Sequence, residues 1–442
     1  MRTNARPGAR QPAPQSIDLA GPTRVDGNGG RGLGFLRRPP IPWRLHALRP
    51  RLADLLVCPV DGGALDLLEW DSAPARLADE DVVRVRRMGL TVERFEREIR
   101  TGLLVNRRRK IYYPIVDGVP RLLVFPAGVV RDFGRRHRGR LSREVAGYAP
   151  PSEDGSPGEE AVLRSFSSEW RHYEWDERAY WNQTADDMFR TMHFALDLEH
   201  KDLRDRLVLE VGFGIGGIAD YVARSQQCEL VGIDLSHAVD GAWRQFGTNP
   251  FFHVVQASAF APPFADGQFE YVYTQGVLHH TYQTRAAFKR ISTLPRVGGR
   301  LYTWVYSRND ERRTPLRRLL YAVEGTLRPI YSRLPDPFQT IALAPWAPLY
   351  IAHQRFAARH NPHQTTYSLR EAMHAARDRW TPRYVHRHTD EQVCRWFRAA
   401  GYDDLTVLSQ RQAPDFVPDS ISSCVGVEGV RKAAAAEGQA VR

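Results

Sequence analysis

The sequence predicts an α/β fold: a doubly wound sheet of seven strands, a small β-rich domain in front of it and a helical insertion near its end. Three observations carry that expectation. From about residue 200 onward, short apolar runs alternate with amphipathic stretches, as a parallel sheet covered by helices demands. One run, Val208-Leu209-Glu210-Val211, leads straight into Gly212-Phe213-Gly214-Ile215-Gly216-Gly217 and a helix opening, Ile218-Ala219-Asp220. A second run, Leu230-Val231-Gly232-Ile233, ends in Asp234, where such a sheet places a carboxylate that accepts from ribose hydroxyls.

Composition narrows the class. The chain has 442 residues, 42% hydrophobic and 26% charged, which suits a globular protein of two or three domains. Lys+Arg 62 against Asp+Glu 51 gives a net charge of +11, so the surface favours anionic partners. Cys58, Cys228, Cys394 and Cys424 show no paired spacing, which argues for a reducing compartment without a disulfide framework. The best apolar run, Ile341 to Ala352, is broken by Pro345 and Pro348 and does not reach membrane-spanning length. The N-terminus lacks an apolar signal core, and the expected location is cytoplasmic.

Taken in order, residues 1–50 are rich in Arg, Pro and Gly and are expected to be a disordered basic segment. Residues 51–127 change character, opening with Leu52-Ala53-Asp54-Leu55-Leu56-Val57-Cys58-Pro59 and closing with Ile111-Tyr112-Tyr113-Pro114-Ile115-Val116-Asp117-Gly118. A helix is expected near Asp79 to Arg100. Residues 128–160, with Arg135 to Arg140 and then Pro150 to Gly158, read as an exposed linker. An aromatic-rich stretch follows: Phe166, Trp170, Tyr173, Trp175, Tyr180, Trp181 and Phe189. Strands are expected near 207–211, 229–233, 252–256, 269–274, 300–306, 404–409 and 421–428, with helices near 217–225, 237–246 and 284–294. The main domain thus covers 161–310 and 381–432, interrupted by a helical cap insertion at 311–380. Within it, Leu316, Leu319, Leu320, Val323 and Leu327 recur at helical spacing, with Arg312, Arg313, Arg317, Arg318 and Arg328 on the other face. Peripheral membrane contact through 312–356 is one expectation for that helix, and packing over the sheet is the other. His353, His360, His363, His374, His386 and His388 lack metal-ligand spacing and read as polar lid residues, so no metal is expected.

The pattern Glu210-x-Gly212-x-Gly214-x-Gly216, followed by Asp234 and by Val255-Gln256-Ala257-Ser258-Ala259-Phe260, resembles that of the class I S-adenosylmethionine-dependent methyltransferases, with their Rossmann-like sheet. The Gly276-Val277-Leu278-His279-His280 segment and the Val297-Gly298-Gly299 turn agree with it. The resemblance implies S-adenosylmethionine as cofactor. It would be bound by Glu210, by the backbone at Gly212, Phe213, Gly214 and Gly216, by Asp234 on the ribose and Leu235 on the adenine, and by Ser258, Ala259 and Gln275. The family usually has an acidic residue where Ser258 stands. A histidine of the pair His279 and His280 could take a proton from the acceptor. The segment 51–127 resembles a zinc-ribbon-like (Trm112p-like) domain whose two C-x-x-C pairs hold zinc. Here Asp61 stands in place of one cysteine, and Asn106 to Lys110 brings Arg where the other pair belongs. The expected acceptor is a small molecule (a sugar, a lipid-linked intermediate or a specialised metabolite), polar or anionic, gripped by residues 311–380. Two alternatives stay open: an RNA methyltransferase, though the chain has no N/D-P-P-Y/F motif and no stacking platform, and a scaffold that binds the cofactor without catalysis. Oligomeric state is not legible.

Overall fold

Eleven strands share one sheet in the computed structural model, which describes residues 48–152, 157–171, 182–308 and 315–433. In chain order they are β1 (Asp66–Pro74), β2 (Arg97–Asn106), β3 (Ile111–Val116), β4 (Val119–Leu122), β5 (Leu207–Val211), β6 (Glu229–Asp234), β7 (Phe252–Ala257), β8 (Phe269–Gln275), β9 (Pro295–Val305), β10 (Tyr402–Val407) and β11 (Val425–Arg431). Their order across the sheet is β1-β2-β3-β4-β7-β6-β5-β8-β9-β11-β10. The pairings from β4 through β7, β6, β5 and β8 to β9 are parallel; those at the two ends are antiparallel.

The expected seven-stranded sheet is therefore corrected. Seven strands, β5 to β11, cover the expected apolar runs, with β9 starting earlier, at Pro295, and β11 displaced from 421–428 to Val425–Arg431 by a helix at Asp419–Ser422; four more join them edge to edge. The join is β4 on β7, with Arg121 opposite Gln256 and Leu122 opposite Ala257. An unpaired β7 would expose a row of backbone donors and acceptors, and β4 covers it. Arg121 is buried at this seam, donating to Gln256 Oε1 at 3.2 Å and to the Val116 carbonyl at 3.3 Å, and it pairs with Asp240. Nearby, Arg51 forms a two-pronged bond to buried Glu229 at 2.8 and 2.9 Å, and His253 Nε2 lies 3.0 Å from the same carboxylate. One apolar core runs through both parts, joining Leu48, Leu52 and Tyr113 to Leu209, Val231 and Val272.

Other expectations are also revised. The helix expected near 79–100 spans only Asp79–Arg87. Gly89, at φ 70°, turns the chain out of it, and β2 starts at Arg97. The stretch 128–160 is not exposed linker: Gly128–Arg136 and Arg138–Glu144 are helices, and Phe133 is buried with Trp70 stacked on it at 5.4 Å. Dense charge hid the short apolar spacing of Val130 and Phe133. A third helix, Pro157–Arg171, follows; Glu153 to Ser156 lie outside the described residues. So do residues 1–47, Tyr173, Trp175, Tyr180, Trp181, Arg312 and Arg313.

The zinc-ligand positions carry a hydrogen-bond network instead. Asp61 accepts from Asn106 Nδ2 at 2.8 Å and from Arg108 at 2.6 Å, while Arg109 lies 3.7 Å away. The Arg108 hydrogen bond holds the Asp61 carboxyl down at about 2. Cys58 Sγ meets the Tyr113 hydroxyl at 3.3 Å. Guanidinium charge thus lies directly beside the Asp61 carboxylate.

After β9 come four helices, Pro315–Tyr331, Asp336–Leu343, Ala347–His360 and Leu369–Trp380. The first three pack on the fourth around Leu343, Ala376 and Trp380, with Trp346 stacked on Trp380 at 4.6 Å. Among the described residues no helix is long and apolar enough to cross a membrane.

Candidate active site

The carboxyl ends of β5, β6, β7 and β8 open onto one cavity of about 630 Å³, a size suited to a small molecule. After β5 the chain turns through Gly212, Gly214 and Gly216 at φ 80°, 57° and 83°, conformations that side chains resist. The helix Gly217–Ser225 starts there. Asp234 Oδ2 accepts from the Gly214 amide at 3.0 Å, and its Oδ1 accepts from the Ser236 amide and hydroxyl, both at 2.7 Å. This carboxylate thus ties the glycine loop to the end of β6. Burial raises its pKa, and these hydrogen bonds oppose the rise.

Of the sequence-expected residues, Glu210, Gly212, Phe213, Gly214, Asp234, Leu235, Ser258, Ala259 and Gln275 all line the cavity. Gly216 does not; a Cβ there would lie 2.9 Å from Ala242, so it serves close packing of the loop. Glu210 is buried and accepts from the Tyr273 hydroxyl at 2.7 Å. Burial, partly offset by that bond, raises its pKa to about 8. Gln275 Oε1 is buried without a hydrogen-bond partner among the described residues.

The histidine pair divides. His279 is fully buried, stacked on Tyr306 at 3.8 Å, and is not among the cavity-lining residues. Burial, with His280 next to it, pushes its pKa well below the usual value. Of the two expected bases, His279 therefore stands away from the cavity lining. His280 does line the cavity, with Nδ1 3.0 Å from the Tyr384 carbonyl. It therefore keeps its proton on Nδ1, and burial lowers its pKa to about 3.

Two carboxylates that the motifs did not single out come from the helix Pro157–Arg171. Glu159, 5% exposed, takes the Ser258 hydroxyl as a donor, so a carboxylate occupies the space beside Ser258 although the sequence has none at that position. Burial raises its pKa. Glu169, 1% exposed, lines the cavity with neither carboxylate oxygen hydrogen-bonded among the described residues; His374 Nε2 lies 3.9 Å away. Burial and then the Asp378 charge raise it well above the ordinary carboxylate range. Glu159, Val162, Phe166 and Glu169 fall at i, i+3, i+7 and i+10, a helical face that the sequence carried but that lacked a known partner.

The far wall belongs to the insertion and to Arg387 just after it. Glu324 is buried and paired with Arg328, with Arg379 at 3.1 Å and with Arg387 at 3.2 Å. All four line the cavity, as do Tyr321 and Tyr350.

Residues 209–303 match the methyltransferase-domain family, and residues 49–118 match the Trm112p-like protein family. A curated relative, the sarcosine/dimethylglycine N-methyltransferase of Halorhodospira halochloris, is 27% identical over 155 residues, 34% of this chain; the match spans about half, 52%, of that relative's length. Among solved structures, the magnesium protoporphyrin IX methyltransferase of Synechocystis PCC 6803 with bound S-adenosylhomocysteine is similar over 61% of this chain and 98% of its own, at 14% identity and a TM-score of 0.36. A complex between the Haloferax volcanii Trm112 methyltransferase activator and a methyltransferase is similar over 56% of this chain and 96% of the matched one, at 12% identity and a TM-score of 0.32. Two stretches of the chain thus match known families, a Trm112p-like protein in front and a methyltransferase domain behind it.

Proposed function

We propose that the chain transfers a methyl group from S-adenosylmethionine to a small-molecule acceptor held between the sheet and residues 315–380. The observation that carries this reading is a single cavity whose one wall is Glu210, Asp234 and the glycine loop and whose other wall is the arginine cluster around Glu324. Bound there, the cofactor supplies a methyl group already activated by its sulfonium charge. The residues then do the rest. The loop at Gly212 and Gly214 lets the ligand lie against bare backbone. Asp234 has a lone-pair site left for a ribose hydroxyl, because three hydrogen bonds occupy a carboxylate with about four such sites. Leu235 would pack on the adenine, and Glu159, with Ser258 beside it, would accept from its amino edge. Glu210 faces the cationic amino-acid end.

Arg328, Arg379 and Arg387 outnumber the carboxyls beside them, Glu324 and Asp378, which favours an acceptor with an anionic group. The helices hold that acceptor in line with the methyl group, which is most of what such a displacement requires. His280, neutral and with Nε2 free of the Tyr384 contact, accepts a proton only weakly.

The test is calorimetric. The wild type is expected to bind S-adenosylhomocysteine at about micromolar Kd, near 8 kcal/mol, and Asp234→Ala to weaken this about ten- to a hundredfold, the share of a charged hydrogen-bond acceptor. Equal affinity in both proteins would refute the assignment.

A further inference from the structure

The three helices Pro315–Tyr331, Asp336–Leu343 and Ala347–His360 show an inverted amphipathicity. Among the described residues, seven of the ten exposed large hydrophobics sit on them. On the first helix Leu319, Val323 and Ile330 recur at i, i+4 and i+11, one face, while Tyr321, Glu324 and Arg328 on the opposite face line the cavity. The second exposes Phe338 and Ile341 and buries Gln339 and Leu343. The third exposes Leu349 and Phe356 and turns Tyr350 and Gln354 inward. Polar groups inside and apolar groups outside are the reverse of a helix that only packs on a core. Six side chains each more than half exposed, on three helices that pack on one common fourth, are more bare apolar groups than soluble surfaces usually carry without a partner.

The charge of that face selects the partner. Residues 315–360 hold six arginines and two carboxylates. Both carboxylates are used inward: Glu324 is buried among Arg328, Arg379 and Arg387, and Asp336 accepts from Ser168 and lies 3.6 Å from Arg377. Outward stand Arg333, Arg355 and Arg359, all exposed. Apolar side chains flanked by arginines with no exposed carboxylate among them suit the boundary of an anionic bilayer. We propose that the outward side of these three helices docks on an anionic membrane surface and brings the cavity to it. The docking stands on these side chains alone. Its use, presenting a membrane-held anionic amphiphile for methylation, rests on the methyl-transfer reading.

Flotation of the full chain with phosphatidylcholine vesicles, with and without about 30 mol% phosphatidylglycerol, tests it. The chain is expected to float with the anionic vesicles and not with the neutral ones, and to be released at about 1 M salt, where surface charge is screened. Phe338→Asp with Ile341→Asp is expected to lower vesicle affinity at least about tenfold, 1.4 kcal/mol, with S-adenosylhomocysteine binding unchanged as the proof of folding. Arg355→Glu with Arg359→Glu is expected to abolish the preference for anionic lipid. The proposal is overturned if the wild type ignores anionic vesicles or if both double variants float as it does. It is equally overturned if the wild type sediments as a dimer that Phe338→Asp with Ile341→Asp makes monomeric, since a second copy is then the occupant. Vesicle binding without any S-adenosylhomocysteine binding supports the docking and counts against the methyl-transfer reading instead.

Discussion

Moving one carboxylate across the cavity tests how the adenine is read. Ser258 stands where the resemblance leads one to expect an acid, and the carboxylate beside it comes from Glu159, 99 residues earlier. Both are nearly enclosed, Glu159 at 5% and Ser258 at 2% exposure, so a hydrogen bond formed there is little weakened by competing water. Hydrogen bonds to a charged group contribute about 1.5–3 kcal/mol, and burial that raises the Glu159 pKa costs part of this, so we take the lower half. Glu159→Ala is therefore expected to weaken S-adenosylhomocysteine binding about ten- to thirtyfold. Adding Ser258→Asp to that variant returns an acceptor to the same spot and is expected to recover most of the loss. The assay is titration calorimetry with S-adenosylhomocysteine and with its inosine analogue, whose 6-oxo group cannot donate to a carboxylate. Wild type and the double variant are expected to reject the analogue, and Glu159→Ala to lose that discrimination. If Glu159→Ala keeps full affinity for S-adenosylhomocysteine and still rejects the inosine form, Glu159 does not read the base.

Three further outcomes are expected. Glu210, raised to about 8 by burial, is largely protonated at neutral pH, and a cationic ligand lowers that pKa. Binding of S-adenosylmethionine should release a proton and strengthen as pH rises toward 8, then level off; calorimetry in buffers of different ionisation enthalpy reads this, and proton uptake would contradict it. Arg51→Ala leaves buried Glu229 with only His253 and should destabilise the fold by about 3 kcal/mol in urea unfolding. Burial alone would raise Glu229, yet His253 and then Arg51 hold it at about 2; this stability is present above the unfolded carboxylate pKa and lost as pH falls through 2. In Arg51→Ala the acid unfolding midpoint should accordingly move to higher pH, and an unmoved midpoint would count against the pairing. Elemental analysis of the purified chain should find no stoichiometric zinc, because Arg108 and Asn106 already satisfy Asp61; one zinc per chain, removed by EDTA with loss of folding, would show the opposite.

The strands that build the cofactor side were legible because their signals are local. Glu210, the glycines and Asp234 lie at the ends of apolar runs, and a parallel sheet puts strand ends side by side wherever the runs occur in order. The backbone at Gly212 and Gly214 needs a positive φ, which the residue type itself announces. Other features had no local signal. Whether β4 would end its own small sheet or continue the large one depends on which edge meets it, and Arg121 reads as a surface arginine until Gln256 and Asp240 close around it. His279 and His280 are adjacent and identical in type; only the packing of Tyr306 against one and the Tyr384 carbonyl against the other separates a buried ring from a cavity wall. Glu159 replaces an acid missing at Ser258 from 99 residues away, a substitution in space that no spacing along the chain records. The sequence alone determined the seven strands of the larger part, their order along the chain and where the glycine loop turns, because hydrophobic period and backbone freedom are properties of neighbouring residues. The tertiary structure decided which edges joined, which carboxylates met and which face of the insertion stayed bare, because burial and charge pairing depend on what packs from elsewhere in the chain.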